Sequence, residues 1–234
     1  MLHYAPNKRS DLLGTGFYTV PEAGRLLKIP ALNIRRWLGG YSYKCGDTVV
    51  KMPPLWSPQL PSQDQHIELG FRDLIELLVI KNFIDQGLSI AVVRNCLDYA
   101  RECADDARPF STRRFQTDGR TIFLESLRGL DDAEVLDLKK KQYVIKRLID
   151  RTFKDLDLSD DIVTSWRPFG GKQSIVVDPE RAFGQPIAAS YGVPTVVLAQ
   201  AVKAEGSVER VTQLYEVPGG VVRDAVKFEH SLAA

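Results

Sequence analysis

The chain has 234 residues, 44% hydrophobic and 26% charged, with a formal net charge of +1; that is enough apolar material to bury real cores. No apolar run reaches membrane-spanning length and the N-terminus lacks the pattern of a secretory signal, so a cytoplasmic protein without a membrane partner is expected. Three cysteines (Cys45, Cys96, Cys103) make no disulfide framework, and the isolated His3, His66 and His230 give them no partners for a metal, so no cofactor is expected.

Residues 1–18 show no periodicity and read as an arm. Thr19-Val20-Pro21-Glu22 has the T-x-x-E form of a capping box, with proline tolerated in the first turn. Val20, Ala23, Leu26 and Leu27 follow at helical spacing, and Lys28-Ile29-Pro30 ends the run. A second short helix is predicted over 31–38, stopped by Gly39-Gly40. Two short helices joined by a tight turn make a helix-turn-helix. In the second helix Ile34, Trp37 and Leu38 share one face, while Asn33 and Arg36 share the opposite one with Arg35 beside it. Residues 41–49, strand-like around Gly46-Asp47, fit a wing hairpin.

The proline-rich stretch 52–61 reads as a loop and 67–69 as a short strand. Residues 71–86 are apolar nearly all round, which predicts a buried helix ended by Gly87. Ser89 caps a helix over 90–104, where Cys96 and Cys103 share a face as small buried residues. Residues 115–124, with Asp118-Gly119 at the centre, read as a β-hairpin. A helix with a basic side is predicted over 133–153, carrying Leu138, Val144, Ile145, Leu148 and Ile149. The runs 154–158 and 162–167 flank Ser159-Asp160-Asp161 as a second hairpin, and 168–172 reads as a linker. The last third holds a strand at 175–177, a loop rich in glycine and proline, and helices at 195–205, 208–215 and 219–232. The expected class is α+β, mostly helical: a winged helix-turn-helix over 1–126, a connecting helix and β-hairpin over 127–168, and a small helical, helix-turn-helix-like domain over 169–234.

Charge is unevenly spread. Residues 25–51 hold six bases and one acid, and 139–154 hold seven bases and one acid; DNA binding needs such local patches rather than a basic whole. Arg36, opposite the Ile34 face, is the candidate for a base edge, because arginine bonds guanine in bidentate fashion. Asn33 pairs with adenine or a phosphate, and Arg35, Lys44 and Lys51 are phosphate candidates. Tyr41 and Tyr43 either touch DNA from the wing or pack. The basic helix is a solvated face, a phosphate contact or a dimer surface. Asp155, Asp157, Asp160 and Asp161 are solvent-facing turn acids or a Mg²⁺ set. In the last helix Arg223, Lys227 and His230 form either a solvated stripe or a second DNA contact, since 208–232 is itself helix-turn-helix shaped. No Ser/His/Asp or Cys/His constellation points to an enzyme.

Tyr-Thr-Val-Pro-Glu-Ala-Gly-Arg-Leu-Leu (18–27), Ile29-Pro30, Ile-Arg-Arg-Trp-Leu-Gly-Gly-Tyr (34–41), Phe-Arg-Asp-Leu-Ile-Glu-Leu (71–77), Gly87-Leu88-Ser89 and Val93-Arg94 resemble the MerR-like winged helix-turn-helix. The last third is similar to the small domain of VapB-type antitoxins that pair with PIN-like toxins, through Val177-Asp178-Pro179, Phe183-Gly184-Gln185-Pro186, Gly192-Val193-Pro194-Thr195, Val211, Tyr215, Val217, Val222, Ala225, Phe228 and Glu229. The first resemblance implies binding to double-stranded operator DNA, and the second implies capture of a PIN-like nuclease toxin encoded nearby. Together they imply an antitoxin that represses its own operon. A homodimer on an inverted repeat is expected separately, because one short recognition helix reads few base pairs, and 138–149, apolar on one side and basic on the other, is the candidate surface. The rival reading is a one-component regulator whose C-terminal part senses a small molecule.

Overall fold

The computed structural model describes residues 14–61, 66–128 and 142–233. The fold is α+β and mostly helical, as expected. Strand β1 (Tyr18–Thr19) pairs antiparallel with β4 (Glu68–Leu69) and brackets the head. Helix α1 (Val20–Leu27) opens on the predicted capping box: Thr19 Oγ1 accepts from the Glu22 amide (3.3 Å), and the Glu22 carboxylate accepts from the Thr19 amide (2.8 Å). Lys28 closes the helix at φ 55°, Ile29 is buried, and Pro30 starts α2 (Ala31–Gly39). The turn is tight: a Cβ on Gly24 would stand 2.8 Å from the Ile29 carbonyl oxygen, so glycine is required there. Strands β2 (Tyr41–Cys45) and β3 (Thr48–Met52) form the hairpin beside α2.

Helix α3 (Phe71–Asp85) runs through the core and buries even Asp73 and Glu76. Asp73 accepts from Trp56 Nε1 (2.9 Å), the amides of Gln59 (2.7 Å) and Gly70 (2.9 Å), and Arg108 Nε (2.6 Å). Those bonds let a carboxylate be buried and pin the proline-rich loop. Arg94 donates to the carbonyls of Pro53 and Pro54, Arg101 to Leu55 and Arg108 to Ser57, holding the same loop.

Helices α4 (Ile90–Ala104) and α5 (Arg113–Ser126) pack beside α3. Helix α5 corrects the hairpin expected over 115–124. Thr112 Oγ1 caps it through the Phe115 amide (3.2 Å), and Phe115, Gly119, Ile122 and Phe123 bury one face at helical spacing. Gly119 marks a close approach rather than a turn: a Cβ there would meet Ile149 Cδ1 at 3.0 Å. Phe115 and Phe123 join Phe83 and Phe110 in an aromatic cluster, ring centroids 4.5–6.4 Å apart. Burial of these rings outweighs the turn propensity of Asp-Gly.

Helix α6 (Gln142–Phe153) packs on α5 through Ile145 and Ile149; the earlier part of the helix predicted over 133–153 lies outside the described residues, as does most of the N-terminal arm. The hairpin of β5 (Leu156–Ser159) and β6 (Ile162–Trp166) turns at Asp160 and Asp161, both at positive φ (47° and 65°). Strands β7 (Ile175–Val177) and β8 (Pro186–Ala188) extend it into an antiparallel sheet ordered β5-β6-β7-β8. The 168–172 stretch connects two strands of this sheet, with the Phe169 ring edge-on to Phe228 (5.8 Å) and Lys172 paired to Asp224 (2.5 Å). Helices α7 (Thr195–Glu205), α8 (Val208–Tyr215) and α9 (Gly219–Ala233) enclose a small core of Leu198, Val211, Val217, Val222 and Ala225. Ile175, Val177 and Phe228 belong instead to the main core, which begins at Tyr18. Head and tail also meet where the Phe17 amide donates to the Phe183 carbonyl (3.0 Å).

Candidate nucleic-acid interface

Helix α2 is anchored from below and bare above. Ile34 and Leu38 are buried, Trp37 is half-buried, and its carbonyl accepts from the Leu55 amide (2.7 Å), tying the helix to the pinned loop. Arg35 and Arg36 are exposed and Asn33 is half-buried. Leu32, 63% exposed, stands three and four residues before Arg35 and Arg36 and completes their face. Leu32 is absent from the candidates drawn from the sequence, although its i, i+3 and i+4 spacing to the two arginines is the signal that places it on their face. An apolar group among polar ones suits contact with a thymine methyl.

The hairpin register divides the remaining candidates. Tyr41 lies opposite Met52 and Tyr43 opposite Val50, so the two tyrosines share one face of the ribbon, ring centroids 6.1 Å apart. Ser42 lies opposite Lys51 and Lys44 opposite Val49, which puts Lys44 and Lys51 together on the other face. The Arg36 guanidinium carbon sits 4.2 Å from the centre of the Tyr41 ring, a cation–π stack that holds Arg36 beside the wing. Arg36, Tyr41 and Tyr43 thus form one group, with Arg35 and Asn33 flanking, while Lys44 and Lys51 form a separate cationic edge. Among the described residues none of these cations has an ion-pair partner.

Two of the acids considered for Mg²⁺ are tied into the fold. Asp157 accepts from Arg167 (2.6 Å) and Ser165 (2.6 Å), and the Arg167 bond draws its carboxyl below the ordinary range; Asp161 pairs with Arg113 (2.9 Å). Among the described residues no group of three or more His, Cys, Asp or Glu is placed to hold a metal, and no helix is long and apolar enough to cross a membrane. Cys96 is buried, which pushes its thiol up to about 12, with Cys103 half-buried further along α4.

No protein-family model matches the chain. A relative from Mycobacterium tuberculosis, described as "Putative antitoxin VapB45", is 24% identical over 220 residues, covering 89% of this chain and 92% of the relative. The fold is similar to the crystal structure of Rv2018 from Mycobacterium tuberculosis, with a TM-score of 0.72 at 22% identity over 89% of this chain and 96% of that one.

Proposed function

We propose that this chain is a DNA-binding antitoxin: it binds operator DNA through α2 and the β2–β3 wing, represses its own operon, and neutralises a PIN-like nuclease toxin through its C-terminal part. The observation that carries the DNA half is the group of Arg36, Tyr41 and Tyr43 on an anchored two-helix scaffold, with a cationic edge at Lys44 and Lys51. The toxin half is supported by similarity to the VapB45 relative along nearly the whole chain, tail included. Under this reading 1–126 is the operator-binding unit, 127–168 a connector, and 169–234 the toxin-binding unit, acting as a cytoplasmic, non-enzymatic homodimer. Tyr143 (86% exposed) and Val144 on α6 supply the apolar surface for a second copy.

The test is co-expression of the full chain with the product of the adjacent gene. Co-purification of the two, together with a gel shift of the DNA upstream of the chain's own gene, is the expected result. A chain that shifts that DNA and captures no neighbour is instead a one-component regulator. One observation favours that second reading: a groove of about 400 Å³ at the head–tail seam, lined by Phe17, Arg25, Leu26, Phe183, Thr195 and Glu229.

A further inference from the structure

The head's helix–turn–helix occurs a second time in the tail. Thr19 and Ser207 each cap an eight-residue helix by accepting from the amide three residues on, both at 3.3 Å. Lys28 (φ 55°, ψ 44°) and Glu216 (φ 55°, ψ 34°) end those helices in the left-handed conformation. A buried β-branched residue follows, Ile29 or Val217, and then a proline. The Pro30 carbonyl accepts from the Asn33 and Ile34 amides (2.8 and 3.4 Å), and the Pro218 carbonyl from those of Val221 and Val222 (2.9 and 3.1 Å). In this register Ala23 matches Val211 and Ile34 matches Val222, all buried, and exposed Arg35 matches exposed Arg223.

The second unit differs in what its last helix presents. Asn33 and Arg36 correspond to Val221 and Asp224, so the polar groups assigned to base edges in the head are missing. Asp224 is turned into the body, accepting from Lys172 Nζ (2.5 Å) and Ser174 Oγ (2.9 Å). Glu229 is likewise occupied, accepting from Thr195 Oγ1 (2.5 Å). The bases of the same helix have no such ties: Arg223, Lys227 and His230 are exposed at i, i+4 and i+7, without ion-pair partners among the described residues. One other acid comes near, Glu209, whose carboxylate accepts from Ser207 Oγ (2.8 Å) and feels the Arg223 charge. By sequence α9 is a mixed-charge helix; the fold binds its acids and leaves a cationic stripe outside.

We propose that this stripe is a phosphate clamp: the tail's helix–turn–helix lies against the DNA backbone through Arg223, Lys227 and His230 and adds affinity without reading sequence. The proposal rests on the reading of the head as the operator binder. Polyanionic duplex DNA fits Arg223 and Lys227, exposed cations without ion-pair partners among the described residues, with the His230 ring beside them to hydrogen-bond, on a helix-turn-helix frame, and the lack of base-edge groups assigns the contact to phosphate.

The experiment uses the full chain and fluorescence anisotropy on two duplexes, one spanning the DNA upstream of its own gene and one scrambled. Arg223→Ala/Lys227→Ala is compared with Arg36→Ala and wild type across a salt series, with circular dichroism as the check on folding. The double variant should bind both duplexes roughly tenfold more weakly, with a salt dependence shallower by about 1–2. Arg36→Ala should instead lose preference for the upstream duplex. If the double variant binds like wild type while Arg36→Ala is weakened, the clamp is overturned and the head reading stands. If the double variant keeps DNA binding but no longer co-purifies with the neighbour's product, the clamp is overturned and the stripe belongs to a protein partner. If wild type binds neither duplex, the head reading falls and the clamp with it.

Discussion

The Tyr18 hydroxyl donates a 2.7 Å hydrogen bond to the Gly184 carbonyl, a buried contact between the first strand of the head and the loop that precedes β8. Burial holds the phenol well above its ordinary range, so it stays a neutral donor. Tyr18→Phe leaves the carbonyl unpaired and should cost about 1–3 kcal/mol. Gly184→Ala should cost more, because Gly184 sits at φ 81° and a Cβ there collides with the Tyr18 hydroxyl. Urea denaturation of the two variants measures both; a Tyr18→Phe midpoint equal to wild type would remove the seam bond from the stability account.

Under the proposed operator-binding reading, the stack of Arg36 on Tyr41 separates reading from holding. Arg36→Ala should lose about 1–3 kcal/mol of operator affinity and relax sequence preference. Tyr41→Leu should lose less, since it removes only the platform beneath Arg36. Lys44→Ala should weaken binding to all sequences alike and reduce the salt dependence by about 1. Anisotropy against matched and scrambled duplexes distinguishes the three.

Glu76 predicts a pH dependence of stability. Fully buried, it accepts from the Ser111 (2.8 Å) and Phe110 (3.3 Å) amides, yet burial wins and lifts its pKa from 4.5 to about 8. Between those values the folded state holds a proton that the unfolded chain has released. The unfolded state therefore gains relative stability as pH rises through that window, and the effect saturates above it. The melting temperature of wild type should fall from pH 5 to pH 8 more steeply than that of Glu76→Gln. Parallel curves would contradict the assignment.

Thr212 Oγ1 is buried and finds no hydrogen-bond partner among the described residues. Thr212→Val keeps the shape and removes the unsatisfied hydroxyl. It should raise stability by about 1 kcal/mol, read from the thermal midpoint.

If α6 carries the dimer contact, Tyr143→Asp should give a folded monomer by light scattering with an unchanged circular dichroism spectrum. A variant that remains dimeric would move the contact elsewhere.

The head was legible because its signals are local. A T-x-x-E cap, an Ile-Pro break and a double glycine each act within one turn of helix, and α1 and α2 follow them. Helix α5 was misread because its deciding contact is not local: Gly119 answers to Ile149, on another helix, and Asp-Gly without that neighbour reads as a turn. The division of the wing into a tyrosine face and a lysine face follows from the period of two, but only once the register opposes Tyr43 to Val50. The seam gave no local signal. Phe183 occupies φ 55° and is 75% exposed, a combination that neither propensity nor hydrophobicity anticipates for phenylalanine.

The buried carboxylate of Asp73 makes an optical reporter of the loop it pins. The chain has three tryptophans, and in a Trp37→Phe/Trp166→Phe background the indole of Trp56, hydrogen-bonded to Asp73 and buried, is the only emitter. Its emission should stay blue while the loop that supports α2 is docked and shift red when that loop detaches. Under the proposed reading, operator binding at the exposed Arg35 and Arg36 of α2 would then be visible as slower quenching by added acrylamide, without any label on protein or DNA.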